Sequence, residues 1–356
     1  MRSLDLGRYA LNSCVAAALL AGCGESQSPI TAPGVIPPSL PSSAHGNGDL
    51  REHGTTSCPC LYVANRNTSS VTVYPIGATG DAKPIQDIQG SKTGLRFPHD
   101  VAVDASGNIY AANTAVSSVT VYAPGATGNA KPVETIHGPK TGLATPTGIA
   151  IDSVNGDIYA LNSRTDEYGN GSITIYPPGA TGDVKPIETI LGPSTQLVLP
   201  NGIALDASGN IYVTNRYNYI TFYPAGSKGN AAPTRTIEGA LTRIYLPTQV
   251  ALDSSLNIYI ANYDDNSATV YAAGANGNVG PIQDIHGHRA GIAGTEGTVV
   301  DSKGNIYVAN IFNKGAKKFE GRVAVYEAGS NGNVRPIRVI GGSHTGLAWP
   351  TGMAIH

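Results

Sequence analysis

The string Ile/Leu-Tyr-x-x-Asn begins at Leu61, Ile109, Ile158, Ile211, Ile258 and Ile306, at intervals of 48, 49, 53, 47 and 48 residues. A period near 50 means one supersecondary unit stacked against copies of itself, because a single unit of that size cannot bury its own apolar faces. Blades of a propeller and turns of a solenoid both satisfy it.

Four strand-like pieces joined by turn signals fill each period. The first is P-x-x-V/I-A-V/I/L-D, as in Pro98 to Asp104, Pro146 to Asp152 and Pro200 to Asp206. It runs into a tight D-x-x-G-N turn, where glycine supplies positive φ and the aspartate can cap local backbone donors. The IYVAN piece is second. The third ends in Tyr74, Tyr122, Tyr176, Tyr223, Tyr271 or Tyr326, and a G-x-x-G-N/D-x-x-P turn delivers a short fourth piece ending in Gly. Twelve of the 18 tyrosines thus hold two equivalent slots per unit and read as packing residues.

The chain ends decide between a ring and an open stack. The first unit lacks its leading piece, and Pro350 to His356 supplies that very piece with nothing after it. A C-terminal strand that completes the N-terminal blade closes the ring and removes exposed edges, the recurring liability of β-architectures. The expectation is an all-β, six-bladed β-propeller with four-stranded blades over residues 58–356.

Only 13% of residues are charged, against roughly 25% in an average soluble protein, and the formal charge is -2 with no basic run. Nucleic acid, whose binding rests on clustered Lys and Arg, is therefore excluded as a partner.

The N-terminus reads as an export segment, residues 1–22. Arg2 and Arg8 flank a weak positive region, Val15 to Leu20 is a short apolar core, and Leu20-Ala21-Gly22-Cys23 follows. The core falls short of the ~20 residues of a membrane span. The four-residue string resembles a bacterial lipobox, which implies lipidation of Cys23 and anchoring to the envelope, with the outer membrane as destination in a Gram-negative host. Residues 23–57 read as a Pro/Ser/Gly tether with a reach of roughly 30 Å. Cys58 and Cys60 suggest a C-x-C disulfide in an oxidising compartment, with free thiols or a two-ligand metal clip as the alternatives.

The combination P-x-G-I/V-A-V/I/L-D-x-x-G-N-I-Y-V-A/T-N resembles the NHL repeat, and Tyr212-Val213-Thr214-Asn215 is similar to the signature of YVTN surface-layer propellers. The resemblance spans about Leu61 to His356. For activity it implies a field of binding sensors, scaffold modules, lactonases and lyases rather than one of them. Where NHL repeats carry Asp at the end of the second strand, this chain has Asn65, Asn113, Asn162, Asn215, Asn262 and Asn310. Present in every unit, they read as loop caps.

A site is expected where the units differ, on the face formed by the loops that lead into the first strand and those that join the second to the third. The position after the Pro reads His99, Thr147, Asn201, Thr248, Glu296 and Thr351, with Thr295 standing in for Pro before Glu296. Asp100 and Gln249 adjoin this ring and are included as ligand-binding candidates. Resemblance to gluconolactonase-like propellers implies a divalent metal such as Ca²⁺ on Asn201 and Glu296, and resemblance to streptogramin lyases implies a catalytic His, for which His99, His286, His288 and His344 lie in candidate loops. Arg216, Tyr217, Tyr263 and Tyr168 give the rim the aromatic and Arg content of a recognition surface. Three readings follow. One is a tethered, non-catalytic propeller that needs no cofactor and recognises a protein or glycan; the second is a metal-dependent lactonase or related hydrolase or lyase using Glu296, Asn201 and His99; the third is a Ca²⁺-stabilised structural propeller without a soluble ligand, which would hold the metal without turnover.

Overall fold

Segments such as IYVAN and SVTVY are rich in β-branched and aromatic residues and carry no charge, the pattern of strands buried on both faces. The computed structural model describes residues 59–165, 169–313 and 319–356. Its strands form six four-stranded antiparallel sheets. The sheet after the first tyrosine turn is typical: Pro98–Val103, Ile109–Asn113, Ser118–Tyr122 and Glu134–Ile136 run as a meander. We number it blade 2; blades 3 to 6 begin with the inner strands Pro146–Ile151, Pro200–Leu205, Pro247–Leu252 and Thr295–Val300.

Blade 1 takes its inner strand from the C-terminus. Pro350–Ile355 pairs antiparallel with Cys60–Asn65, setting Leu61 opposite Ile355 and Val63 opposite Met353. The backbones of Cys60 and His356 extend the ladder with N–H···O distances of 2.7 and 3.1 Å. Inner strands contact their neighbours in the order blade 1, 2, 3, 4, 5, 6 and back to 1, so the ring is closed and blades 1 and 4, like 2 and 5, face each other across it. The six-bladed propeller expected from the repeat is the fold.

Its core is a set of layers between blades. Tyr62, Ala64, Val71 and Val73 of blade 1 pack on Val101, Ile109, Ala111 and Tyr122 of blade 2, while Leu61, Val63 and Tyr74 point the other way, into blade 6. Alternation along each strand thus feeds both neighbours. Both tyrosine slots are buried. The hydroxyls of the second slot donate to carbonyls of the connection that leads into the same blade, as Tyr122 to Thr93 and Tyr326 to Ala290. Cys60 is buried in its strand, whereas Cys23, Cys58 and the tether lie outside the described residues.

Candidate functional site

Three repeated positions converge on one end of the channel. The first is the residue after Asn in the second strand. Each Asn is fully buried and acts as the expected cap: Asn113 Oδ1 accepts from Arg96 N at 3.1 Å, Asn162 Oδ1 from Ala144 N at 2.9 Å and Asn65 Oδ1 from Ala348 N at 3.2 Å. Capping holds the next residue of that loop in the left-handed region, the second position. Phe97, Thr145, Leu199, Leu246 and Trp349 have φ between 44° and 55°. A non-glycine residue there costs on the order of 1 kcal/mol or more, so it persists only where surrounding bonds fix it.

The third position follows the Pro. In every blade the inner strand shifts register against its partner just there, and such bulges re-aim side chains. Thr147 and Thr351 spend their hydroxyls on the next blade, donating to Pro200 O at 3.0 Å and Pro98 O at 3.3 Å. His99 does the same with its ring, Nδ1 lying 2.9 Å from Thr147 O. A carbonyl can only accept, so Nδ1 carries the proton and Nε2 the lone pair.

These rings enclose a cleft of about 400 Å³ lined by, among others, Arg66, His99, Arg164, Asn201, Arg216, Tyr263, Glu296 and Trp349. His99, Asn201, Arg216, Tyr263 and Glu296 are therefore brought together as the sequence led one to expect. Tyr217 is not among them; it is 65% exposed and borders a separate shallow depression with Glu238 and Arg243. Tyr168 lies outside the described residues. His286 and His344 follow fourth strands, where His286 Nδ1 lies 3.0 Å from Asp284 O and His344 pairs with Asp81 at 2.6 Å.

Below the cleft the channel narrows to about 10 Å³, roughly the space of one water. Asp100 and Gln249, which face each other from blades 2 and 5, close it. Gln249 Nε2 donates to Asp100 Oδ1 at 3.2 Å and to Met353 O at 2.8 Å, and its Oε1 accepts from Thr298 N at 3.0 Å and Met353 N at 3.2 Å. Asp100 accepts from Val101 N at 2.9 Å and Ile149 N at 3.1 Å. The other four blades carry glycine at this position, and they must: a Cβ on Gly352 would stand 2.0 Å from Asp100 Oδ1, and one on Gly297 2.2 Å from Thr351 O. Both side chains are thus occupied within the ring.

Burial governs the ionisable groups here. It pushes the Asp100 carboxyl up to about 8, against the two backbone bonds that favour its charge. Glu296, only 9% exposed, is pushed up to about 7 by burial, with the Trp349 indole and the charges of Arg66 and Arg216 pulling the other way. His99 is driven down to about 4, first by burial and then by the positive charge of Arg66. At neutral pH the cleft therefore holds a neutral imidazole and a carboxyl near its midpoint. Trp349 Nε1 donates to Glu296 Oε1 at 3.2 Å, and the Arg66 guanidinium lies 5.4 Å from the Trp349 ring and 5.8 Å from Phe97.

Arg66, Arg164 and Trp349 were not among the sequence candidates. Arg66 and Arg216 both directly follow the Asn of the repeat, a signal available once that Asn is understood as the cap that aims the next side chain at the channel.

The residues present do not fit the divalent metal that the gluconolactonase resemblance implies. Glu296 is the one carboxylate on the cleft, burial disfavours its charge, and three guanidiniums share the space. Among the described residues no three His, Cys, Asp or Glu side chains are grouped to hold an ion.

A protein of unknown function from Bacteroides caccae is similar in structure, with 10% identity over 84% of this chain and 99% of that one and a TM-score of 0.60. A chain of a nidogen/laminin complex is similar at 14% identity over 83% and 98%, with a TM-score of 0.55. Both likenesses concern the fold. No curated protein matches the chain. Residues 52–235, more than half of the chain, match the SMP-30/gluconolactonase/LRE-like region, and the chain belongs to that family.

Proposed function

We propose that the chain is an envelope-anchored, non-catalytic binding propeller that takes a small ligand, or the end of a larger glycan or protein, in the cleft at its channel mouth. The observation that carries this is the lining of the cleft: Trp349, Tyr263, Asn201 and three arginines over a closed throat. Such side chains recognise rather than ligate, and about 400 Å³ falls at the small end of the ~300–1,000 Å³ typical of ligand pockets. The anchor would come from Cys23, supported by the Leu-Ala-Gly-Cys string behind a short apolar core.

The rival within the family is metal-dependent lactone hydrolysis. Bound metal per chain, measured after incubation with Ca²⁺, Mn²⁺ and Zn²⁺ and dialysis, separates the two. No ion above background and no lactone turnover is expected. One tightly held ion, lost in Glu296→Ala with Asn201→Ala and accompanied by lactone opening, would overturn the binding reading. Radiolabelled palmitate incorporated by the wild type and not by Cys23→Ser tests the anchor.

A further inference from the structure

We propose that the cleft is a dianion site: it takes a small organic group with two negative charges, a phosphate monoester or a dicarboxylate, bridged between Arg66 on one side of the channel mouth and Arg164 and Arg216 on the other. This rests on the binding reading above and names its ligand class.

Three guanidiniums border the cleft against the single carboxylate of Glu296, an excess of two positive charges when Glu296 is ionised. Among the described residues none of the three arginines has a carboxylate within ion-pair distance; the ion pairs present are Arg243 with Asp284, His286 with Asp284 and His344 with Asp81. In a chain with so few charges, three unpaired cations in one concavity ask for a partner, since Arg forks match carboxylate and phosphate oxygens. Position argues for two charges rather than one. Arg66 belongs to blade 1 and Arg216 to blade 4, which stand opposite each other in the ring, with Arg164 on blade 3 beside the latter. A single carboxylate satisfies one side; a dianion satisfies both. Arg66 is held in place before any ligand arrives by its stacking near Trp349 and Phe97, which lowers the entropy lost on binding. Asn201 and Ser163, also on the cleft, add neutral donors.

The chain contains one tryptophan, and it lines this cleft, so its fluorescence reports the site directly. The full chain is titrated at pH 8 and constant ionic strength with inorganic phosphate, succinate, acetate and glucose. The expected result is a saturable change with phosphate or succinate at half-saturation about tenfold or more below acetate. Arg216→Met, at an exposed position, and Arg66→Met should each weaken it by about tenfold or more, Glu296→Gln should tighten it, and Tyr217→Ala should leave it unchanged. Phosphate outperforming succinate assigns a phosphate ester; the reverse assigns a dicarboxylate. Acetate equalling the dianions, no response to either dianion, or a response undiminished in the Arg66→Met/Arg216→Met double variant overturns the proposal. If glucose alone shifts the signal, the dianion site falls while the binding reading stands; a tightly held metal with lactone turnover overturns the reading beneath it.

Discussion

Gln249→Leu removes the side chain that ties the channel together while nearly keeping its volume, so the loss reads hydrogen bonding rather than a cavity. Gln249 satisfies Thr298 N of blade 6 and both Met353 N and Met353 O of blade 1, in addition to touching Asp100 of blade 2. These backbone groups lie on the inner edges of innermost strands, where no further strand can pair with them. A buried donor or acceptor left without a partner costs about 1–3 kcal/mol. Three such groups set a range of roughly 3–9 kcal/mol, and we take about 3–6 kcal/mol because leucine is itself more readily buried than an amide. Water cannot make up the difference, since the residual space is about 10 Å³ and leucine fills what the amide filled. At about 2 °C per kcal/mol for a domain of this size, the midpoint of thermal unfolding should fall by roughly 6–12 °C. Circular dichroism at fixed protein concentration measures it, with Tyr217→Ala as a control expected to move by less than about 1 °C because surface changes are usually within ±0.5 kcal/mol. A fall of less than about 2 °C in Gln249→Leu would refute the idea that this pair holds the inner edges of the ring.

The carboxyl of Glu296 is raised to about 7 by burial, so its stabilising contribution is complete at acid pH and is lost as pH rises from its unfolded value near 4.5 through about 7; Glu296→Gln should therefore gain stability relative to wild type at pH 8 but not at pH 4, measured by denaturant midpoints. The same titration should appear as a fluorescence transition of Trp349 near pH 7 in wild type, absent in Glu296→Gln. His99, driven down to about 4, should show no ring protonation between about pH 5.5 and 8 by NMR, in contrast to an ordinary histidine with its midpoint near 6.5; a midpoint above 6 would refute the placement of its ring. Deleting residues 350–356 strips the partner strand from Cys60–Asn65 and leaves an unpaired apolar edge, so the truncated chain should self-associate in size-exclusion chromatography, whereas a monomer of native size would refute closure by that strand.

The blade count, the closing strand and the caps were legible because each depends on local chemistry repeated in every unit. A positive-φ turn needs its glycine and a buried second strand needs its apolar run, whatever lies around them. The face that carries the cleft was legible for the same reason. Arg66 was not, because the residue after the cap varies from blade to blade and carries no pattern of its own, and Arg164, two positions beyond its cap Asn162, falls in no repeated slot. Trp349 was hidden differently: it precedes a proline, a context that favours extended backbone, and the Asn65 bond to Ala348, the bond from Arg66 N to Trp349 O and the packing around them hold the left-handed turn that presents the indole to Glu296. The roles of Asp100 and Gln249 were beyond local reading altogether, since they are 149 positions apart and meet only once the ring is closed. Counted by position, however, their slot reads Asp, Gly, Gly, Gln, Gly, Gly around the ring, large residues exactly opposite one another.

That last pattern explains why the cleft ends in a floor. Six-fold repetition brings equivalent positions onto common circles around the axis, so a substitution in any blade aims at the same central space. On the lowest circle the backbones approach too closely for more than two side chains, and the two present are consumed in mutual and backbone bonds. On the circles above it the strands diverge, threonines in alternate blades bond sideways to their neighbours, and the remaining positions are free to differ. His99, Asn201 and Glu296 occupy the non-threonine blades of one circle, and Arg66 and Arg216 occupy opposite blades of the next. The charge asymmetry of the cleft is therefore a property of the ring as a whole: each arginine is ordinary in its own blade, and only closure by Pro350–Ile355, which also seats Trp349, sets them facing each other.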